Sequence, residues 1–304
     1  MKYFYPIVLK NKRLRPFNLC KGIIIRHMSI TEREDFFGLE KAEFSFSNKF
    51  PAGFVAPSCL TPSGKKGRYH YKDLLPRSLF TGPFDIIASN YVICIEYETR
   101  PTPFDTLIDE INISFILHKP TSTGGYVYFG EDQTESVGFH YRMVIHGPFD
   151  YLFITKNDLR NIKKIFELVQ TKKDDNKFNL CIKLYCRALQ GGRLDFDLRF
   201  ISLITCLESL YLPDREQELT FLLSLRIAKV LSRYGYGTCE NIFNRMKDIY
   251  GVRSSLLHSG KTNKLDKNIF NDSVEIVRKS LNLYLNDPTL FSKNSLDKIV
   301  LSRN

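Results

Sequence analysis

The chain has 304 residues, 43% of them hydrophobic, and a formal net charge of +11; this length can bury a substantial core and suits two domains. Its longest apolar runs fall far short of a membrane span, the N-terminus lacks the apolar segment of a signal peptide, and its seven cysteines are dispersed without a Cys-x-x-Cys pair. These features argue against a membrane-bound, secreted, disulfide-linked or zinc-binding protein, so we expect a cytoplasmic protein with reduced thiols, no metal, no cofactor and no membrane partner.

The basic charge is concentrated in the second half of the chain. Residues 1–155 contain 18 Lys and Arg against 16 Asp and Glu, a net charge of +2, whereas residues 156–304 contain 26 against 17, a net charge of +9. A surface that meets the phosphate backbone of a nucleic acid needs such an excess. The same bias is common on solvated helices, so charge alone leaves both interpretations open.

Residues 1–154 are predicted to form a β-rich domain that senses or recruits a ligand. Short runs of β-branched and aromatic residues are separated there by Gly, Pro, Asn and Ser. The predicted strands are Tyr3–Leu9, Gly22–His27, Glu43–Phe46, Ile86–Glu98, Ile111–His118, Tyr126–Phe129 and Val137–Ile145. One short helix is predicted over Thr31–Leu39, because Thr31 and Glu34 form a capping box. We expect a sandwich or an open barrel.

One loop of this domain, Pro62–Tyr71, mixes basic and aromatic residues. Such a mixture can hold a nucleic acid strand, with bases stacked on the rings and phosphates on Lys and Arg. The alternative is an exposed hairpin tip. The scattered histidines have no metal-like spacing and are interpreted as packing or surface residues: His27, His118, His140 and His146.

Residues 155–304 are predicted to form an all-helical bundle, which makes the whole chain an α+β protein of two domains. Thr155 opens the first helix, whose apolar residues share one side, and the polar stretch Lys172–Lys177 ends it. Five further helices are predicted at about residues 178–189, 194–212, 217–234, 238–258 and 265–286. The tail after Pro288 is polar, and we expect it to be loosely held.

The most informative stretch is the helix end Tyr250–Gly260. Apolar residues recur at three- and four-residue steps from Ile242 to Leu257, and Arg253 lies on the same stripe, where a guanidinium rarely stands without a partner. Gly260 is predicted to cap the helix. His258 then lies in the last turn, near unsatisfied carbonyls that favour a charged imidazole.

The predicted partner of Arg253 is Glu208. This carboxylate follows Ile204 by four residues and Ile201 by seven, so it lies on the apolar face of the helix over residues 194–212. A buried carboxylate and a buried guanidinium on neighbouring helices most simply pair. A purely structural alternative is that Arg253 only pairs with a carboxylate and His258 only caps its helix.

Three blocks of sequence, in this order, resemble the Apea-like branch of the HEPN domains: FISLITCLESLYLPD, LSLRIAKVLS and IFNRMKDIYGVRSSLLHSGK. In that family an acidic helix precedes an Arg-x4-6-His motif. The resemblance covers about residues 156–290, and the β-rich N-terminal half is of the kind found in Apea-type defence proteins. It implies an all-helical bundle that dimerises across the motif helix and, in active members, cleaves RNA without a metal. Ser254 stands where family members often have Asn, Asp or His after the arginine.

The resemblance implies a metal-independent endoribonuclease with Arg253 and His258 as its catalytic residues and Glu208, Ser254 and Tyr250 in support. His258 would move a proton, Arg253 would hold the phosphoryl oxygens, and Glu208 would orient Arg253. The implied partners are an RNA substrate, a second copy bound through the helical domain, and an activator, phage-derived or other, bound by the N-terminal domain. The implied role is prokaryotic defence by abortive infection, or a toxin.

A second hypothesis is a non-catalytic HEPN module that dimerises or binds nucleotides or RNA, with the Arg–His pair as a structural remnant. Ser254 keeps this hypothesis open. Helix geometry bears on both hypotheses, since residues five apart point about 140° away from each other. Arg253 and His258 of one chain therefore cannot both face one groove of a regular helix, and we predict a composite site built by two copies.

Overall fold

The structure is a computed structural model. It describes residues 2–7, 9, 11, 14–29, 91–96, 104–120, 129–130, 153–189, 196–213, 219–259 and 265–302. The chain divides into two compact units: Met1–Arg100 with Gly124–Tyr141, and Pro101–Thr123 with Arg142–Asn304.

The first unit contains a five-stranded antiparallel sheet with the order β2-β3-β4-β1-β5. Its strands are β1 (Lys2–Ile7), β2 (Phe17–Cys20), β3 (Ile23–His27), β4 (Tyr91–Glu96) and β5 (Phe129–Gly130). The central strand β4 is buried at five of its six residues, as its continuous apolar sequence requires.

The turn between β2 and β3 depends on a glycine. Gly22 has a φ of +80°, and its carbonyl accepts a hydrogen bond from the backbone N–H of Glu96 at 2.6 Å. A Cβ at position 22 would lie 2.4 Å from the carbonyl oxygen of Glu96. Only glycine combines this backbone conformation with so close an approach.

Three predicted strands are confirmed by β1, β3 and β4, while β2 was not predicted. The strand predicted at Ile111–His118 is wrong, because these residues lie in helix α1 (Phe104–His118). Every residue of 107–117 except Asp109 is buried, so this helix has no polar stripe, and its apolar run could not be distinguished from a buried strand. Other predictions lie outside the described residues: the helix Thr31–Leu39, the strands Glu43–Phe46 and Val137–Ile145, the loop Pro62–Tyr71, and all of Tyr126–Phe129 but its last residue.

The second unit is helical, and its six helices between Lys156 and Asn286 agree with the predicted helices to within about two residues. After α1 come α2 (Lys156–Thr171), α3 (Asn176–Leu189), α4 (Phe196–Tyr211), α5 (Leu219–Arg233), α6 (Cys239–Ser259), α7 (Lys267–Asn286), a 3-10 turn (Pro288–Phe291) and α8 (Lys293–Leu301). Thr155 caps α2 through a capping box with Asp158, as its position before the apolar stripe predicts. One continuous apolar core joins α1 to the other helices. The described residues thus form an α+β protein with a single sheet, and a sandwich or barrel is not among them.

Helix α7 holds the end of α1. Arg278 donates hydrogen bonds to the carbonyls of Leu117 (3.1 Å) and His118 (2.9 Å), and Asn282 also donates to Leu117. These carbonyls belong to the last turn of α1 and have no partner within their own helix. The ring of His118 bonds Asp158 at 2.9 Å, so α2 and α7 both fix the end of α1.

The prediction of a loosely held tail after Pro288 is wrong. Residues 288–301 form the 3-10 turn and α8, and Leu290, Phe291, Leu296 and Ile299 are buried. Asp297 of α8 also forms an ion pair with Arg226 of α5, whose side chain is completely buried. The prediction failed because polar residues separate the apolar ones, as they do in any short amphipathic helix, so the segment was interpreted as a polar tail.

Candidate functional site

The motif helix α6 packs into the core through one face. Met246, Ile249, Tyr250 and Val252 are buried, as the three- and four-residue spacing predicts for all but Val252. The prediction fails at Leu257, which is 53% exposed in the last turn. Periodicity identifies the side of a helix on which a residue lies, but it does not reveal whether a neighbour covers that side.

Arg253 forms the predicted ion pair with Glu208. The Nη2 atom of Arg253 lies 3.1 Å from Oε1 of Glu208 on α4, so the pairing of these two helices is confirmed. The side chains of Arg253 and Glu208 keep 23% and 21% of their exposure, so the pair lies at the edge of the core. The prediction had placed both side chains inside the core. An ion pair at such an edge is less costly to desolvate than a buried one and remains accessible to a ligand.

Tyr250 is the third member of this cluster. Its hydroxyl donates a 2.9 Å hydrogen bond to the same Oε1 atom of Glu208, and the guanidinium of Arg253 lies 5.1 Å from the centre of its ring. Burial, with the hydrogen bond to Glu208 and the charge of this carboxylate, raises the pKa of Tyr250 to about 12. Tyr250 is therefore a permanent hydrogen-bond donor at neutral pH. We call Glu208, Tyr250 and Arg253 the carboxylate cluster.

The other two predicted site residues lie outside the carboxylate cluster. Ser254 is partly buried, and its hydroxyl has no hydrogen bond with the described residues. His258 is exposed in the last turn of α6 and makes no contact of this kind with the described part of the chain. The predicted cap Gly260 lies outside the described residues. Arg253 is held against α4 while His258 is exposed, so the structure does not bring the two predicted catalytic residues together within one chain.

An open face of α6 surrounds His258. Lys247, Gly251, Ser255 and His258 follow one another at three- and four-residue steps, so they share this face. A Cβ built on Gly251 would meet no atom within 4 Å. Gly251 was not among the predicted site residues. The sequence did contain an indication of this position, because glycine inside a long helix lowers its stability by about 1 kcal/mol relative to alanine.

A carboxylate cluster of this kind can hold a cation for electrostatic work, and an exposed imidazole such as that of His258 can transfer a proton. Within the described residues, no group of three His, Cys, Asp or Glu side chains could hold a metal ion. The helices that the structure describes include none with the length and hydropathy of a membrane span.

Comparisons with protein-family models, with curated proteins and with solved structures found no match to this chain. The family resemblance therefore stays a prediction, and it rests on the three blocks of sequence.

Proposed function

We propose that the protein is a metal-independent endoribonuclease of HEPN type that acts as a homodimer in the cytoplasm. The observation that carries this proposal is the carboxylate cluster, which orients Arg253 at a partly exposed edge, together with the exposed His258 on the same helix. An anchored guanidinium and an exposed imidazole can supply the charge stabilisation and the proton transfer that metal-free cleavage of RNA uses.

The reaction is the transfer of a phosphodiester to the neighbouring 2′-hydroxyl. His258 removes the proton of that hydroxyl, the 2′-oxygen attacks phosphorus, and the bond from phosphorus to the 5′-oxygen breaks. The leaving 5′-oxygen takes a proton from solvent water and becomes a 5′-hydroxyl, the phosphorus stays in a 2′,3′-cyclic phosphate, and protonated His258 returns its proton to solvent. Arg253 contacts the phosphoryl oxygens, on which negative charge develops, and Glu208 with Tyr250 fixes the orientation of Arg253.

A second copy of the chain completes the site. Arg253 and His258 of one chain face different directions, since five residues of helix turn about 500°. Two α6 helices related by a two-fold axis place Arg253 of one chain opposite His258 of the partner.

The biological role belongs to the same proposal. The helical unit cuts RNA, and the N-terminal unit binds an activator, phage-derived or other, that turns on cleavage in prokaryotic defence. A toxin that acts without a phage signal is the variant of this role in which no activator is needed.

One observation favours a second candidate function, a non-catalytic dimerisation or RNA-binding module. Glu208 already neutralises Arg253, and the ring of Tyr250 packs on the guanidinium of Arg253. These two contacts explain the position of Arg253 in the fold without any substrate. Among the described residues, Ser254 has no hydrogen bond that would place it in a reaction.

Cleavage of RNA in the presence of EDTA distinguishes the two functions. We expect the full chain to cut a labelled cellular RNA pool with EDTA present and to leave cyclic phosphate ends, and we expect His258→Ala to abolish the cutting. Asn244→Ala, at an exposed position of the same helix, is the control and should retain most activity. Strict dependence on magnesium or manganese, or equal activity of His258→Ala, would overturn the proposed mechanism. Binding of RNA without cleavage, in the presence of an activating lysate, would favour the module.

A further inference from the structure

The outer face of α2 carries a dense group of cations. Leu159, Ile162, Phe166 and Val169 bury the opposite face, so the outer side chains extend into solvent. An open cleft of about 550 Å³ lies against this face. Its described wall consists of Asn157, Arg160, Asn161, Lys163, Lys164 and Glu167. We call these six residues the α2 face.

The cations of the α2 face are poorly neutralised. Glu167 lies 4.0 Å from Lys163, at the limit of an ion pair, and the side chain of Asp158 is engaged with His118 and Thr155. Arg160 donates only to the neutral amide of Asn157, and neither Arg160 nor Lys164 has a carboxylate partner among the described residues. The α2 face therefore presents positive charge that an anionic ligand can neutralise.

An exposed aromatic ring adjoins the α2 face. Phe153 precedes the first residue of α2 by three positions and is 60% exposed. A singly exposed ring is ordinary on a protein surface, and the face of this one is free to stack. Cations with an exposed ring a few residues away in the chain are a combination by which proteins hold single-stranded nucleic acids, with phosphates on the cations and a base on the ring.

We propose that the α2 face and Phe153 bind single-stranded RNA, with Arg160 and Lys164 on its phosphates and a base stacked on Phe153. This proposal locates the substrate of the proposed ribonuclease, and it rests on that function for the choice of RNA. The carboxamides of Asn157 and Asn161 line the same cleft and can donate to and accept from 2′-hydroxyls and base edges. A membrane surface fits less well, because its binding needs several apolar side chains beside the cations and Phe153 is the one such residue described here.

The experiment measures binding separately from cleavage. A fluorescently labelled 20-nucleotide RNA without secondary structure is titrated with the full chain carrying His258→Ala, which leaves the RNA intact. We expect Arg160→Gln/Lys164→Gln to weaken binding by about tenfold and to reduce the slope of log Kd against log salt concentration by about 1.4, the value for two lost phosphate contacts on a single strand. Phe153→Leu should weaken binding at least about fivefold at every salt concentration, because stacking on the ring is lost.

Helix α3 offers a matched control. Lys183 and Arg187 are also exposed and four residues apart, so Lys183→Gln/Arg187→Gln removes the same charges from another surface. This variant should bind RNA like its parent.

Equal weakening by the two double variants would overturn the proposal, since it would show a general effect of net charge. Absence of RNA binding by the parent would also overturn it. The proposal would also be overturned if the α2 face bound vesicles of phosphatidylcholine and phosphatidylserine, or an acidic peptide, more tightly than it bound RNA. Binding with the expected pattern in a chain that never cleaves RNA would refute the proposed function and leave the α2 face as an RNA-binding surface. Unchanged cleavage by the α2 and Phe153 variants would refute the RNA-binding role of the α2 face and leave the proposed ribonuclease function standing.

Discussion

At the scale of single residues, one oxygen atom organises the candidate site. Oε1 of Glu208 accepts a hydrogen bond from Tyr250 and lies 3.1 Å from the guanidinium of Arg253. Without this oxygen, a phenol and a cation at the edge of the core would both lose their partner. Hydrogen bonds to charged groups contribute about 1.5–3 kcal/mol each, and the partial exposure of the pair keeps its loss below the 3–5 kcal/mol of a fully buried one.

We therefore predict that Glu208→Ala lowers the free energy of unfolding by about 2–3 kcal/mol, and that Glu208→Gln lowers it by about 1–2 kcal/mol because a neutral acceptor remains for Tyr250. Urea denaturation measures both values. The control is Asp272→Asn, which weakens the more exposed pair of Arg245 and Asp272, whose side chains keep 33% and 49% of their exposure. This substitution should cost less than about 1 kcal/mol. Equal costs at positions 208 and 272 would show that the carboxylate cluster has no special role in stability.

His118 gives a prediction for the dependence of stability on pH. Burial lowers the pKa of His118 below 6.5, the nearby charges of Arg278 and Lys119 act in the same direction, and Asp158 opposes them. The folded protein then binds this proton less readily than the unfolded chain does. Stability should fall as the pH decreases through about 6.5 towards the folded-state pKa.

The measurement for His118 is the urea midpoint between about pH 7.5 and 5. We expect a steeper fall on acidification in the wild-type chain than in His118→Gln, which keeps a hydrogen-bond donor for Asp158 but does not titrate. Asp158 does not interfere, since burial raises its pKa but hydrogen bonds from Thr155 and the bond to His118 outweigh this effect and place the pKa below 3.8. A pH profile of His118→Gln parallel to that of the wild type would contradict the prediction.

At the scale of elements, the pattern of burial decided which predictions succeeded. Helix α2 has one buried face and one solvated face, so its period of 3.6 residues is visible in the sequence. Helix α1 is buried almost all round, and its run of Ile, Leu and Phe reads equally well as a strand. Helix α8 is short, so two buried residues, Leu296 and Ile299, were too weak a signal.

The attachment of α8 can be tested through its ion pair. Arg226 is completely buried, and its guanidinium donates to the carbonyl of Tyr211 at 2.6 Å and to Asp297. Asp297→Ala would leave a buried cation without a counter-charge. We expect a loss of about 2–4 kcal/mol, somewhat less than for a fully buried pair because Asp297 remains 34% exposed.

Urea denaturation and limited proteolysis measure this loss. Lys298→Ala on the same helix removes an exposed side chain and should change stability by less than about 0.5 kcal/mol. The C-terminal segment should be cleaved faster in Asp297→Ala than in this control. Identical unfolding midpoints for the two variants would mean that α8 is held by its apolar contacts alone.

At the scale of the whole molecule, sequence and structure agree on an α+β protein and on the contact of α4 with α6 through Glu208 and Arg253. The contact could be predicted because a charged residue on an apolar stripe needs a partner of opposite charge, and few acidic residues lie on the apolar face of a neighbouring helix. The exposure of the pair, the bare face around Gly251 and the packing of α8 depend on which surfaces neighbours cover. Such coverage is a property of the assembled chain and has no local signal in the sequence.

The last prediction concerns assembly of the proposed site from two chains. If Arg253 of one chain acts with His258 of its partner, a two-fold dimer contains two equivalent pairs. A dimer of one Arg253→Ala chain and one His258→Ala chain keeps one of these pairs and loses the other. Co-expression with two different affinity tags, followed by sequential purification, isolates this mixed dimer. We expect about half of the wild-type cleavage rate from it and none from either mutant homodimer. A mixed dimer that stays dimeric but is inactive would show that the cleft needs both pairs intact. A wild-type chain that cleaves RNA at full rate when diluted to a monomer would show that the two residues do not act across a two-fold axis.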